Sequence, residues 1–218
     1  MLKNKWARFF FIVFDSLVVL VLLYILVLLP WHLRYGATDG EVARPMPGDE
    51  IVASPDMGST HAITINASAA QVWPWIIQMG QGRGGLYSYE GLENLAGCDI
   101  HNADRILAQF QTFNVGDKMR LGPPGFPFFN VMAVDPGKSL VLGGMDPQTQ
   151  KGSTWVFMIE PVTANSSRLI IRSRGSYVAG AGNFIIWRVI TEPLSFFMEQ
   201  KMMRGIQQRA EGQPVSWW

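Results

Sequence analysis

Residues 154–174 read TWVFMIEPVTANSSRLIIRSR. Two runs rich in β-branched and aromatic residues, Thr154–Pro161 and Arg168–Arg174, flank the polar turn Thr163-Ala-Asn-Ser-Ser167, which is the signature of a β-hairpin. In the second run Arg168, Ile170, Arg172 and Arg174 share one face, and Leu169, Ile171 and Ser173 share the other. The face without arginines should meet a core, which leaves Arg172 and Arg174 toward solvent or, if the sheet bends there, toward an anion in the pocket. Downstream, residues 193–211 read PLSFFMEQKMMRGIQQRAE. Leu194, Met198, Met202 and Ile206 recur every four residues, with Phe197 and Met203 widening the stripe. Pro193 suits a first helical turn, so a long amphipathic helix is expected over Pro193–Glu211.

Upstream, Phe128–Val134 and Leu140–Gly143 are strand candidates joined by Asp135-Pro-Gly137, a turn sequence. A short strand, Lys118–Leu121, follows Val115-Gly-Asp117. Further back, His61–Ile65 alternates as a strand, and Ser68-Ala-Ala-Gln71 forms a capping box for a helix carrying Val72, Trp73, Trp75, Ile76 and Met79. Pro74 predicts a kink or a late start in that helix. Further helical turns are expected over Tyr89–Ala96 and around Ala103–Phe110. A strand, short helices, a meander of strands and one long helix make an α+β domain. Its sheet curves antiparallel around the C-terminal helix, which is a helix-grip arrangement with a cavity between the two.

This order of elements resembles the START-related, polyketide cyclase/dehydrase-like superfamily (SRPBCC). The stretches that carry the likeness are Ala62-Ile-Thr-Ile65, Ser68-Ala-Ala-Gln-Val-Trp73 and Val115-Gly-Asp117. The segment from Trp75 to Tyr89, WIIQMGQGRGGLYSY, looks like an uncharacterised bacterial branch. The resemblance extends over about Gly58 to Glu211. It implies a hydrophobic pocket for a lipid, sterol, polyketide or similar apolar molecule, and it transfers no catalytic residue.

The N-terminal segment Phe9–Trp31, FFFIVFDSLVVLVLLYILVLLPW, would span roughly 34 Å as a helix, enough for a bilayer core of about 30 Å. Its length exceeds a signal-peptide core, and Tyr35-Gly36-Ala37 is a poor cleavage site, so a retained single-pass anchor is expected. Lys3, Lys5 and Arg8 precede it, whereas Arg34 and Arg44 follow among acids. The positive-inside rule then puts the N-terminus in the cytoplasm and the domain outside the cell membrane. Asp15 within the span reads either as a near-interface acid or as a partner for another membrane helix. The expected organisation is residues 1–35 as tip and anchor, 36–57 as a Pro/Gly/acid-rich linker or arm, 58–212 as the ligand-binding domain and 213–218 as an aromatic tail. That tail holds Trp217 and Trp218. The net charge of +1 argues against a nucleic-acid partner, and a single cysteine, Cys98, rules out an intrachain disulfide.

Candidate site residues fall into three groups. Arg83, Tyr87 and Tyr89 follow the glycine-rich turn Gly80–Gly85. They read as polar fixtures of a pocket mouth, with Arg83 receiving an anion, or as an arginine paired with Glu90 or Glu93 beside packing tyrosines. The turn matches GxGxxG but follows a helix, which excludes a dinucleotide site. The second group is His101 with Asp99 and Asp104. It reads as an acid/base pair or as a polar loop; a metal site is not expected, because His32 and His61 lie far away in sequence. Trp73, Trp155, Phe157, Met198 and Met202 should line the core or the cavity. No cofactor motif is present. The functions these readings allow are capture of an apolar ligand or lipid, a cyclase/dehydratase-like reaction using Arg83, Tyr87 and His101, or a structural module with a packed core. Oligomeric state is not legible.

Overall fold

A computed structural model describes residues 2–149 and 151–215; Trp217 and Trp218 lie outside them. Helix α1 (Leu2–Leu23) runs on through a π-helical stretch, Tyr24–Leu28, into α2 (Leu29–His32). Asn4–His32 is long and apolar enough to cross a membrane, with mean hydropathy 3.0, and only 6% of its most apolar window is covered by protein. After a short helix α3 (Asp39–Ala43) come β1 (Met57–Ile65), α4 (Ala69–Ile77), α5 (Glu90–Leu95), β2 (Lys118–Arg120), β3 (Phe128–Asp135), β4 (Ser139–Met145), β5 (Gly152–Thr163) and β6 (Ser166–Gly175). The chain closes with α6 (Ala181–Phe184), a π-helical stretch Ile185–Thr191 and α7 (Glu192–Ala210).

The six strands form one antiparallel sheet in the order β1-β6-β5-β4-β3-β2. It curves around α7, as the strand pattern and the amphipathic C-terminal helix predict. The interface is filled by side chains: Phe157, Leu169 and Ile171 from the sheet meet Met202, Met203 and Ile206 of α7, while Val72 and Ile76 of α4 close one side. Each such fully buried side chain contributes about 1.5–3 kcal/mol of transfer free energy. Gln71 reaches back to the Ser68 amide at 3.0 Å, so the expected cap starts α4. The helix runs through Pro74, the missing bond falling inside it.

Three details differ from the sequence reading. Ala103–Phe110 yields only a 3₁₀ turn at Ala108–Phe110. The C-terminal helix begins earlier than Pro193, continuous with an apolar stretch from Ala181. Leu194 and Phe197, the first members of its stripe, are exposed, because this half of the helix runs past the core.

The arginine face of β6 is also not open to solvent. Residues 37–51 lie across it as a docked arm, and Met46 and Ile51 pack with Ala62, Val156, Met158 and Ile170 in a second apolar cluster. Arg172, only 5% exposed, donates to Thr60 Oγ1, to the carbonyls of Glu41, Val42 and Arg44, and to Asp49 at 2.8 Å. Arg174 pairs with Asp49 at 3.1 Å. Arg168 binds Glu41 at 2.7 Å, and this hydrogen bond, opposed by burial, brings the Glu41 carboxyl down to about 2. An alternating Arg strand buries its charges here because the arm supplies carboxylates and free helix-end carbonyls in matching positions.

Candidate functional site at the junction of the apolar helix and the domain

The apolar helix meets the domain at an aromatic cluster centred on Phe196 of α7. Its ring lies 5.9 Å from Trp31, 5.1 Å from His32, 5.6 Å from Tyr35 and 5.4 Å from His61. The amides of Thr60 and Ala62 donate to the carbonyls of Leu33 and Tyr35, so the chain leaving the helix pairs along β1 and covers that edge of the sheet.

Beneath this cluster lies a buried polar chain. His61 Nε2 donates to the His32 carbonyl at 2.6 Å. On its other side, His61 Nδ1 sits 2.5 Å from Glu199 Oε1. Trp155 Nε1 donates to Glu199 Oε2 at 2.9 Å. His61 and Glu199 are 2% and 9% exposed. Because a carbonyl can only accept, Nε2 carries a proton, and the carboxylate favours a second proton on Nδ1. Burial alone would lower the His61 pKa; the hydrogen bond and charge of Glu199, with the His32 carbonyl, overcome it and raise the pKa above the usual histidine value. The ring thus sits in a closed pair with Glu199 that favours its protonated form. Such a pair couples β1, β5, α7 and the end of the apolar helix.

Of the residues singled out from sequence, Trp155, Phe157 and Met202 lie on the helix–sheet interface. Phe157 and Met202 are buried in the core, and Trp73 packs against its edge. Trp155 is half-buried between Phe129 (5.8 Å) and Phe157 (4.8 Å). Met198, one turn before Met202, accepts at its carbonyl from Ser88 Oγ at 2.9 Å. Tyr89 stacks on exposed Phe197 with centroids 4.6 Å apart.

The polar candidates do not converge. Arg83 donates to the carbonyls of Ile77, Phe110 and Thr112 at 2.8–3.2 Å and stacks over Phe113 at 3.9 Å. It pins the loop after the 3₁₀ turn to the end of α4 and pairs with neither Glu90 nor Glu93. Burial lowers its pKa. Tyr87 is 1% exposed; its hydroxyl accepts from Gln78 at 2.8 Å, and burial pushes its pKa up. Its neighbour Gln78, also buried, receives the amides of Leu107 and Gln111. His101 is exposed and touches Asp99 at 3.2 Å and Glu90 at 3.7 Å, with Asp104 in neither contact. Among the described residues no group of three metal-ligating side chains occurs.

Sequence reasoning singled out neither His61 nor Glu199, which lie 138 residues apart. The available signal was a histidine within an apolar strand and a lone glutamate in register with the Met202–Ile206 stripe.

No family model matches the sequence, and no curated protein matches it. Among solved structures, a protein from Mesorhizobium loti is 13% identical, over 73% of this chain and 100% of its own, with a TM-score of 0.43. CalC, a self-sacrificing resistance protein from Micromonospora echinospora, is 13% identical over 72% of this chain and 96% of its own, TM-score 0.42. A norcoclaurine synthase from Thalictrum is 17% identical over 71% of this chain and 93% of its own, TM-score 0.40. Likeness at this level extends to no residue role, and the fold stands on the strand order and α7 of this chain itself.

Proposed function

We propose that this chain is a membrane-anchored helix-grip protein that holds an apolar molecule taken from the bilayer, with its N-terminus in the cytoplasm and its domain outside. The observation that carries the anchor is the bare helix Asn4–His32: a core helix of a soluble domain is covered, whereas this one leaves apolar side chains such as Phe10, Leu20 and Leu26 more than half exposed. Water does not tolerate such a surface, and a bilayer matches its length.

The ligand reading is narrower than a deep cavity. Phe157, Met202 and Ile206 fill the inner part of the grip. What supports a binding place is the part of the interface nearest the apolar helix, where half-buried Trp155 donates to the buried Glu199 carboxylate and packs on half-buried Phe129. An apolar body with a polar head fits such a wall, the tryptophan and tyrosine rings supplying rigid contact area. Tyr89 and Phe197 extend that wall outward. A tether at the bilayer surface raises the local concentration of such a ligand.

A reaction of cyclase or dehydratase type has no support from the geometry, because Arg83, Tyr87 and His101 face three different surroundings. The filled core favours a second reading, a non-catalytic interaction module. Full-length protein extracted in native lipid discs and examined by mass spectrometry separates the two. The binding reading expects one apolar species enriched over bulk lipid and lost in Trp155→Ala. Bulk lipid only, unchanged by Trp155→Ala, refutes it and leaves the interaction module.

A further inference from the structure

After β6 ends at Gly175, Ser176 still pairs with Gly152 and the Tyr177 amide donates to Asp56; residues 178–191, VAGAGNFIIWRVIT, then leave the sheet, turn at Gly180 and return as the helix that becomes α7. This excursion is apolar and uncovered. Val178, Phe184, Ile185, Ile186, Trp187 and Ile190 are each 40–57% exposed. Its charged residue, Arg188, is neutralised by Glu192 at 2.7 Å.

Two contacts fix where it lies. Tyr24, inside the apolar helix, donates its hydroxyl to the Arg188 carbonyl at 3.1 Å, a separation of 164 residues. His32 meets Phe196 at 5.1 Å with the same sequence offset. Equal offsets at both ends of this stretch mean that the two helices run parallel and level. Counting back from Arg188, the turn at Gly180 lies roughly 10–12 Å beyond the Tyr24 contact, on the side away from the domain. That depth lies within the slab the apolar helix occupies.

We infer that residues 178–191 form a second membrane-inserted segment, a re-entrant turn and helix whose exposed face contacts lipid acyl chains. This rests on the anchor reading above, and the bilayer is the occupant it commits to. A segment in lipid must satisfy its own polar groups. Here Asn183 Nδ2 donates to the Val178 carbonyl at 2.7 Å, and the Phe184 amide donates to Gly180 at 2.9 Å. The chain would then grip the bilayer at two adjoining places, which fixes the orientation of α7 and of the Trp155–Glu199 end of the domain toward the membrane.

The test uses full-length protein with Cys98→Ser in phosphatidylcholine vesicles. Single cysteines at Leu20, Phe184, Ile186, Ile190 and Leu95 carry an environment-sensitive fluorophore, quenched either by doxyl groups on the acyl chains or by iodide in water. The expected result is severalfold stronger lipid quenching at Ile186 than at Leu95, shielding from iodide, and greater depth at Phe184 than at Ile190. If Ile186 behaves like Leu95 while Leu20 is lipid-quenched, the insertion is overturned and the anchor stands. If neither quencher reaches Ile186, protein covers that face, and the insertion is again overturned. Absence of lipid quenching at Leu20 itself would remove the anchor reading and this inference with it.

Discussion

Replacing Glu199 by leucine deletes the carboxylate to which Trp155 and His61 both point. It leaves the His61 imidazole, 2% exposed, with a buried Nδ1 facing a methyl group. Removing one partner of a buried pair costs about 3–5 kcal/mol, because the survivor keeps its desolvation penalty without its Coulombic return. For a chain of this size, 1 kcal/mol corresponds to about 2–4 °C in Tm, so Glu199→Leu should lower Tm by roughly 6–20 °C. The double variant His61→Leu/Glu199→Leu removes both charges and should recover most of that loss. The pair also has a pH signature. The folded-state pKa of His61 is raised, so its stabilisation is complete below the ordinary histidine value of about 6.5 and is lost as pH rises through the higher folded value. Wild-type stability should therefore decline above about pH 6.5, and this part of the decline should vanish in the double variant. The assay is thermal unfolding of the full-length protein in lipid discs, followed by tryptophan fluorescence between pH 5.5 and 8.5. A loss under about 1 kcal/mol in Glu199→Leu, or a double variant that keeps the wild-type slope above pH 6.5, would refute the coupled buried pair.

Other substitutions test other parts of the structure. A Cβ on Gly205 would lie 2.5 Å from the Tyr87 carbonyl oxygen, a backbone atom, so Gly205→Ala should cost about 1–3 kcal/mol by urea unfolding as α7 is pushed off the Tyr87 loop. Arg172→Ala removes the five-acceptor anchor of the arm, and cleavage at Glu41 or Glu50 by a glutamate-specific protease should accelerate by at least about tenfold, equivalent to about 1.4 kcal/mol of docking energy. Glu93 is buried, and desolvation, with Glu90 nearby, raises its carboxyl to about 7. A raised acid favours the folded state below its unfolded pKa and loses that advantage as pH climbs through the folded value. Glu93→Gln should therefore flatten the stability profile between about pH 4.5 and 7 and gain about 1–2 kcal/mol at pH 8, read from chemical unfolding at each pH.

Much of the fold was legible because local patterns and the global arrangement agree. The Asp135-Pro-Gly137 turn joins β3 to β4, Thr163–Ser167 joins β5 to β6, and Ser68 with Gln71 opens α4 as read. The glycine-rich turn packs tightly, for a Cβ on Gly85 would meet the His101 carbonyl at 2.7 Å. The arm is less legible, since Pro45 and Pro47 suit a linker or an extended arm alike. What docks it is the row Arg168, Arg172 and Arg174, whose partners lie more than a hundred residues away. Read alone, that row looks like a solvated face.

The candidate site was legible only in its apolar part. Trp155, Phe157 and Met202 sit on the interface because strand and helix periodicity point them there. Arg83, Tyr87 and His101 are near in sequence, which in a tight turn does not imply a shared direction. The His61–Glu199 pair needed β1 and α7 to be brought side by side, and the apolar run 178–191 needed Tyr24 as a ruler.

By itself, then, the sequence determined the long apolar N-terminal helix, the antiparallel meander and the amphipathic closing helix. Each of these follows from the hydrophobic period of one contiguous segment. Only the tertiary structure decided that the arginine face is covered, that the buried His61–Glu199 pair joins the apolar helix to the domain, and that a second apolar segment lies beside the first. Those features depend on the register between segments distant in the chain, and a pattern internal to one segment carries no information about its partner's level or side.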